Sequence, residues 1–306
     1  MAGFLLALVG PLLYAVTNYL DKLLLDRYAA ERSVAVILIF SALFSALALP
    51  LLFAADPTVF RVSGTHMLAL AGVGVLNFLL LLFYLKALQA EDVATAIIFY
   101  QLVPVFAYGL GYLVLGETLT RGQLFAMLVI LLGTSVVSFD LDEARRFRLR
   151  ARTALYMLAA SLCWALAAVL FKVVALEERV VRSLFWEHLV LAVIGTGLLI
   201  IPTYRDACLH TLRRCSRAIV GLAALNELAY VAANIVMAFA YLLAPVSVIL
   251  LANSYQALFA LMIGAVLTTI APALLPEKAR RWDFVQKGLA ILVTAIGTYV
   301  LLRRLE

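Results

Sequence analysis

Long apolar runs, each interrupted by only a few polar residues, cover most of the chain. A helix needs roughly 20 mostly apolar residues to cross the hydrocarbon core of a bilayer. Ten runs meet this requirement, and we predict that each forms a transmembrane helix. They are 3–25, 33–54, 66–88, 93–116, 121–139, 151–175, 181–202, 217–243, 245–270 and 284–302. Their length and their Ala-, Leu- and Gly-rich composition favour helices over the short alternating strands of a membrane barrel. The predicted fold class is an all-α polytopic membrane protein.

The composition agrees with this class. The chain is 66% hydrophobic and 14% charged, whereas soluble domains are about 45–50% apolar and about 25% charged. The net charge of +6 does not indicate nucleic-acid binding, because the basic residues lie in short connections between apolar runs. Cys163, Cys208 and Cys215 are too few and too scattered for a disulfide framework or a metal site. The first run lacks a basic leader and a small-residue cleavage site, so we interpret it as a retained span.

The two halves of the chain resemble each other. Tyr14 falls on Trp164 and Lys22 on Lys172 at an offset of 150 residues, and a later match has an offset of 153. Five helices per half is an odd number, so the second copy would enter the membrane in the opposite orientation. Such inverted repeats are common in secondary transporters; the alternative is chance similarity between Leu- and Ala-rich helices. The predicted organisation is a first five-helix repeat over 1–140, a basic connecting loop over 141–150 and a second five-helix repeat over 151–306.

One stretch of the first half resembles a known family. The run "YLKALQAEDVATAIIFYQLVPVFAYGLGYLVLGETLTRGQLFAMLVILLGT" (84–134) has an aromatic-x-x-Ala-Leu end to the third span, Pro104 in the fourth, then Leu-Gly-Glu-x-Leu-Thr. These features are similar to the EamA-type drug/metabolite transporter superfamily. The second half resembles the pattern more loosely: Gly288 and Gly297 match the final-helix glycines, while 268–282 replaces the compact Gly-Glu turn. The resemblance implies ten transmembrane helices in two inverted five-helix repeats, a central site and alternating access.

The basic residues also bear on orientation. The connections after the odd-numbered spans carry sixteen Lys and Arg residues, and the opposite face carries six. The positive-inside rule therefore places both termini outside, whereas relatives of this superfamily usually have both termini inside. We follow the charge count, because five arginines within eight residues (145–152) would otherwise have to be translocated. The expected location is the bacterial inner (cytoplasmic) membrane.

Three predicted spans carry polar residues at helical spacing, and in lipid such rows must face the protein interior. The rows are Glu227, Tyr230, Asn234 and Tyr241 in the eighth span, Gln101, Pro104, Tyr108 and Tyr112 with the adjacent Tyr100 in the fourth, and Asn253 and Gln256 with the adjacent Tyr255 in the ninth. We expect the three rows to converge on one polar cavity.

Glu227 is the leading candidate for coupling. A charge at the bilayer centre costs about 2.5–3.5 kcal/mol, so ionisable groups there suggest function. Glu227 could carry a proton, bind a cationic substrate or do both in alternation. The alternative is a structural glutamate that is hydrogen-bonded between helices. Its neighbour Asn226 points elsewhere and is expected to bond another helix.

Further candidates lie in three other spans. Glu187 and His188 point about 100° apart on a helix, so we expect one of them, preferably Glu187, to line the cavity; an interfacial position is the alternative. Tyr14, Asn18 and Asp21 share one face of the first span. Asn77 faces the cavity or bonds a neighbouring helix.

Lys22 and Lys172 are expected to anchor helix ends rather than to bind substrate. Glu117 is expected to stabilise the start of the fifth span. Mid-span tyrosines beside carboxylates suit an amine through cation–π attraction, or an aromatic or sugar-like solute through stacking.

These features predict a secondary active transporter of a small polar or amphipathic metabolite, with amines and amino-acid-like compounds among the candidates. A small-molecule substrate, a coupling proton and the lipid bilayer are the expected partners; no nucleic acid and no cofactor are expected, and the protein would be a monomer or homodimer. Alternatives are a flippase of a lipid-linked or amphipathic solute, a passive channel and a membrane-embedded enzyme. The chain lacks a Walker-type loop, His-Glu-x-x-His and Gly-x-Ser-x-Gly, so enzymatic activity is not expected.

Overall fold

The computed structural model describes residues 1–24, 34–89, 99–138, 151–214, 217–270 and 281–304. Within these ranges the regular secondary structure consists of helices alone. The α-helices of the first half are α1 (Ala2–Ala7), α2 (Val9–Leu23), α3 (Val34–Ser45), α4 (Ala48–Ala55), α5 (Gly64–Leu88), α6 (Val103–Leu115) and α7 (Arg121–Ser138). Those of the second half are α8 (Ala151–Glu177), α9 (Val180–Leu198), α10 (Pro202–Arg214), α11 (Arg217–Tyr241), α12 (Val246–Leu251), α13 (Gln256–Ile270) and α14 (Arg281–Arg303).

Seven helical stretches in the described part of the chain are long and apolar enough to cross a membrane. They are Ala2–Leu23, Val34–Ala55, Gly64–Leu88, Arg152–Glu177, Val180–Leu198, Val220–Tyr241 and Val246–Leu267. Shorter apolar helices cover the other three predicted spans, at Tyr100–Leu115, Arg121–Ser135 and Ile291–Arg303. The all-α polytopic class is therefore confirmed, and spanning length is established for seven of the ten predicted helices.

Two membrane helices contain a tightened segment at matching places in the two halves. Residues Tyr100–Leu102 form a 3-10 helix before α6, and residues Ala252–Tyr255 form another between α12 and α13. A 3-10 helix has 3.0 residues per turn instead of 3.6. Each segment therefore rotates the side chains that follow it relative to a continuous α-helix.

Helix α10 was not predicted as a separate element. It begins at Pro202, which suits a first helical position because its missing N–H needs no partner there. Arg205 and Asp206 in its second turn are exposed and pair with each other at 3.3 Å. A helix this polar cannot cross a bilayer, so the pattern of long apolar runs does not predict it.

The most extensive helix packing in the described residues joins the two halves. α5 lies along α8, α7 along α14, α2 along α11 and α3 along α9. Glycine allows close approach in two helix pairs: a Cβ at Gly195 of α9 would lie 2.5 Å from Ala42 Cβ of α3, and one at Gly74 of α5 would lie 2.7 Å from Val190 of α9. Small residues at crossings are typical of membrane helix pairs. On the outside, large apolar side chains such as Leu113 (77% exposed) and Ile200 (79%) face the surroundings.

Candidate functional site

A pocket lies between α5, α8, α9 and α11. Its empty volume is about 290 Å³. Asn77, Glu187, Asn234 and Tyr241 supply polar groups, and Trp164 and Phe171 supply aromatic walls. The α11 side chains come from the last two turns of that helix, so the pocket lies closer to the end of α11 than to its start.

Glu187 is the charged group of this pocket. Its side chain is buried, and its Oε1 accepts hydrogen bonds from the amides of Asn77 on α5 and Asn234 on α11, each at 2.7 Å. In the described part of the chain no donor reaches the other carboxylate oxygen, Oε2. Three of the predicted site residues are thus brought together around one carboxylate, and one oxygen of that carboxylate remains available to a ligand.

The close packing of α5 on α9 holds Glu187 in place. Gly74 lets α5 approach so closely that a Cβ there would lie 3.2 Å from the backbone oxygen of Glu187. Trp186, the preceding residue, donates its indole N–H to the Val59 carbonyl at 2.8 Å. The backbone at Glu187 is therefore fixed from two sides.

Five rings form an aromatic layer beside the pocket: Tyr14, Tyr84, Tyr100, Trp164 and Tyr230. Trp164 meets Tyr14 and Tyr100 edge-on, with centroid distances of 5.5 and 5.0 Å. Tyr14 also contacts Tyr230 at 5.8 Å, and Tyr100 contacts Tyr84 at 5.8 Å. These separations are those of favourable aromatic pairs. The layer connects helices of both halves in the middle of the protein.

Two further buried carboxylates, Asp21 and Glu227, lie near tyrosines of this layer. Asp21 accepts a hydrogen bond from the Asn226 amide at 2.7 Å, and Glu227 accepts one from the Ser41 hydroxyl at 2.6 Å. The prediction that Asn226 bonds another helix is therefore confirmed, since Asp21 belongs to α2. Neither carboxylate lines the pocket around Glu187.

The polar residues of the fourth and ninth predicted spans meet each other at the crossing of the two 3-10 segments. The Gln101 amide approaches the Ser254 carbonyl at 3.4 Å and accepts a hydrogen bond from Thr134 at 2.9 Å. Asn253 is buried, and so is Gln256; within the described residues neither atom of the Asn253 amide makes a hydrogen bond, nor does Oε1 of Gln256. None of these residues lines the Glu187 pocket. Of the three predicted rows, only the row of the eighth span reaches the pocket, through Asn234 and Tyr241.

Some other predicted residues are placed differently from the expectation. Tyr112 is 57% exposed and Tyr108 is half-buried, because the 3-10 turn at Tyr100–Leu102 shifts the inward face of α6 away from the predicted row. His188 is fully buried, and neither ring nitrogen is hydrogen-bonded to a described residue. Asn18 accepts a hydrogen bond from Tyr84 at 2.9 Å.

The sequence interpretation did not identify Trp164 and Phe171 as site residues. They lie seven positions apart on α8, and the small Ala167 and Ala168 between them also line the pocket. That spacing places them on one helix face. The pattern was present in the sequence, but aromatic rows are also usual in a lipid-facing helix.

Glu117 joins three segments at the pocket side of the protein. Its Oε1 pairs with Lys172 Nζ at 2.6 Å, and its Oε2 accepts the backbone N–H of Val246 at 2.8 Å. Lys172 also donates to the Ala244 carbonyl at 2.7 Å. The expectation that Glu117 stabilises the start of the fifth span is replaced by a different contact: the carboxylate lies at the N-terminus of α12, where negative charge is favourable.

A charged cluster lies outside the membrane-spanning segments. Arg182 contacts Asp56 and Glu178 at 3.3 Å each. Two hydrogen bonds from Thr58, one from its hydroxyl and one from its backbone N–H, hold the pKa of Asp56 below its ordinary value. A hydrogen bond from His66 at 3.1 Å lowers the pKa of Glu178. The cluster ties the ends of α4, α5, α8 and α9 together.

Comparisons with known proteins agree with this architecture. Twenty-eight chains of solved structures match. One of them, a crystal structure, covers 98% of this chain and 96% of its own with a TM-score of 0.60 at 14% identity, and at that identity the likeness shows the shared fold alone. No curated protein matches the chain.

A family model also matches the first half of the chain. Residues 1–139 match the model of the EamA-like transporter family, which belongs to the drug/metabolite transporter superfamily. The resemblance found in the sequence is thereby confirmed over this range, and it indicates a membrane transporter of the drug/metabolite type. Over residues 1–139 the chain is therefore similar to the EamA-like transporter family of the drug/metabolite transporter superfamily.

Proposed function

We propose that the protein is a secondary active transporter of a small polar or amphipathic metabolite that carries an amine, and that this amine binds at Glu187. The observation that carries the proposal is the free oxygen of a buried carboxylate in a pocket with aromatic walls. Two amides on Oε1 fix the carboxylate, and Oε2 is left for a cationic group.

The charge balance supports a cationic substrate. In the described residues no Lys or Arg nitrogen lies within 4 Å of Glu187. A buried carboxylate without a positively charged partner is unfavourable, and a bound cation removes that cost. Trp164 and Phe171 can contribute cation–π attraction to the same group.

Alternating access follows from the proposed architecture of ten helices in two inverted five-helix repeats. Tyr14 and Trp164, which are 150 positions apart, are in ring contact. Gln101 and Ser254, which are 153 positions apart, are in polar contact. Equivalent positions of an inverted repeat meet in this way only near the axis that relates the two halves. A site beside that axis can be exposed to either side by rocking one repeat against the other.

Orientation follows from the charge count. If the start of α11 is cytoplasmic, the pocket lies toward the outer side, and this conformation presents Glu187 outward. Transport would then be coupled to an ion gradient or to exchange of substrates.

The test is a ligand screen on the purified protein in detergent. Amines, amino acids, sugars and nucleosides are compared by thermal shift, each amine beside an uncharged analogue of the same shape. We expect amines to bind and their neutral analogues to fail. Glu187→Gln keeps the shape but loses a charge-assisted hydrogen bond of about 1.5–3 kcal/mol, which corresponds to about 10- to 150-fold weaker binding.

The matched control is Glu177→Gln, because the Glu177 side chain is 68% exposed and lies outside the pocket. It should bind amines as the wild type does. Equal binding of amines and neutral analogues, or unchanged affinity in Glu187→Gln, would show that Glu187 is not the substrate carboxylate.

A further inference from the structure

The buried group beside the aromatic layer has the chemistry of a second binding site. Asp21 and Glu227 lie on α2 and α11, with exposures of only 6% and 4%. Each accepts a hydrogen bond from a neutral donor, Asn226 for Asp21 and Ser41 for Glu227. Three helices thus contribute to one group of polar side chains, and both hydrogen bonds cross between helices.

This group has an excess of negative charge. Asp21 and Glu227 are close enough to interact electrostatically. No described Lys or Arg nitrogen lies within 4 Å of either carboxylate. Lys22 follows Asp21 in sequence, but its ammonium donates to the Leu88 carbonyl at 3.2 Å. Two buried carboxylates without a counter-charge are unfavourable together, so the pair needs a cation or a proton.

Within the described part of the chain, the other groups that interact electrostatically with the pair are tyrosines. Tyr84 and Tyr100 interact with Asp21, and Tyr230 interacts with both Asp21 and Glu227. A tyrosine carries no positive charge at any pH. The described surroundings therefore supply no cation of their own.

An unused oxygen also points to a ligand. Nδ2 of Asn226 bonds Asp21, but Oδ1 of the same amide is buried and accepts no hydrogen bond from a described residue. Since the two atoms belong to one amide, Oδ1 lies beside the carboxylate. The polar groups on these residues are mainly oxygens, from two carboxylates, one amide and the Ser41 hydroxyl, and oxygen ligands suit a hard cation or a proton and not a soft metal.

This group is separate from the substrate pocket. Glu227 and Asn234 are seven residues apart on α11, which is about 10 Å along the helix axis. Tyr230 lies between them and interacts electrostatically with both Glu187 and Glu227. None of Asp21, Ser41, Asn226 and Glu227 lines the pocket.

We propose that Asp21, Ser41, Asn226 and Glu227 form a separate site for one monovalent coupling cation, either a proton or a sodium ion. The proposal rests on the proposed transport function, because a coupling site has a purpose only in a transporter. Tyr230 lies between the coupling site and the substrate pocket, and it couples ligand occupancy of one site to ligand affinity at the other.

The test uses the full-length purified protein and measures cation binding directly. Thermal unfolding is followed with sodium chloride against choline chloride at equal ionic strength. Proton uptake between pH 6 and pH 9 is followed in parallel by potentiometric titration. Stabilisation by sodium that is lost in Asp21→Asn and Glu227→Gln identifies a sodium site. Loss of about one titrating proton in either variant, with no sodium effect, identifies a proton site.

Controls separate the site from general instability. Ser41→Ala keeps both carboxylates and should weaken the cation response without abolishing it, and all variants must elute as monodisperse protein. If neither sodium nor proton binding differs between wild type, Asp21→Asn and Glu227→Gln, the coupling site does not exist.

Glu187→Gln distinguishes the two proposals. If it loses amine binding and keeps the cation response, both stand. If it abolishes both responses, the two sites are one and the separate site is rejected, while the substrate assignment survives. If no amine binds to any form but the cation response remains sensitive to Asp21 and Glu227, the proposed substrate is wrong and the cation site stands.

Discussion

Replacing Glu117 by glutamine tests the contact that joins both halves beside the pocket. Glu117 comes from the turn before α7, Lys172 from α8, and Val246 begins α12. The side chains of Glu117 and Lys172 are only 16% and 9% exposed. Glutamine has nearly the same shape and can still accept the Val246 N–H. The substitution therefore removes the negative charge and leaves the Lys172 ammonium without its counter-ion.

The expected loss of stability follows from this geometry. Removing one partner of a buried ion pair costs about 3–5 kcal/mol, whereas one charge-assisted hydrogen bond contributes about 1.5–3 kcal/mol. Because the pair retains some exposure and the Val246 contact survives, we expect Glu117→Gln to destabilise the protein by about 2–3 kcal/mol. Lys172→Met, which leaves Glu117 with only the Val246 N–H, should cost a similar amount.

The assay is a double-mutant cycle on the free energy of unfolding in detergent micelles. In Glu117→Gln/Lys172→Met no buried charge is left uncompensated, so the double variant should be more stable than the sum of the single effects by about 2 kcal/mol. Asp206→Asn is the control, because it breaks the exposed pair with Arg205, and exposed pairs contribute about 0–1 kcal/mol. Strictly additive single effects would refute the assignment of Glu117 and Lys172 as a coupled pair.

Two further predictions concern the loops and the helix crossings. The lowered pKa values of Asp56 and Glu178 mean that each group stabilises the fold above its unfolded pKa and loses that contribution as pH falls through its folded pKa. The stability difference between wild type and Asp56→Asn, measured by unfolding, should therefore be constant above about pH 5 and vanish in more acid solution; a pH-independent difference would contradict this. Gly74→Val should cost about 1–3 kcal/mol through overpacking, because a Cβ there lies 2.7 Å from Val190, while Gly72→Val, with open space around it, should cost much less; equal losses would show that the α5–α9 approach is not close.

The helices were predictable from the sequence because the bilayer sets their length and apolar character. The helix Gly64–Leu88, for example, begins two residues before the predicted span 66–88 and ends at the same residue. The interruptions were not predicted. The turn at Ala46 and Leu47 that separates α3 from α4 begins four residues before Pro50, which lacks an N–H and whose ring clashes with the carbonyl of residue 46, so a local helix breaker accounts for it.

The candidate site was only partly predictable for a related reason. Helical spacing identified Asn77, Glu187 and Asn234 as inward residues of three different spans, but spacing within one helix does not tell which helix lies opposite. Glu227 and Asn234 share a face of α11 and were therefore expected in one cavity. They lie two turns apart along the helix, however, and so meet different neighbours. The structure pairs Glu227 with Ser41 and Asn234 with Glu187.

The proposed repeat relates two lysines, Lys22 in the first half of the chain and Lys172 in the second. Lys22 and Lys172 occupy equivalent positions, and each donates to a carbonyl near the end of a partner helix, Leu88 and Ala244 respectively. Lys172 also pairs with Glu117, which belongs to the other half of the chain, at 2.6 Å. A contact between the two halves that forms in only one access state stabilises that state. The Glu117 pair lies beside Phe171 on the pocket side, and its loss should therefore shift the population away from the conformation described here as well as lower stability.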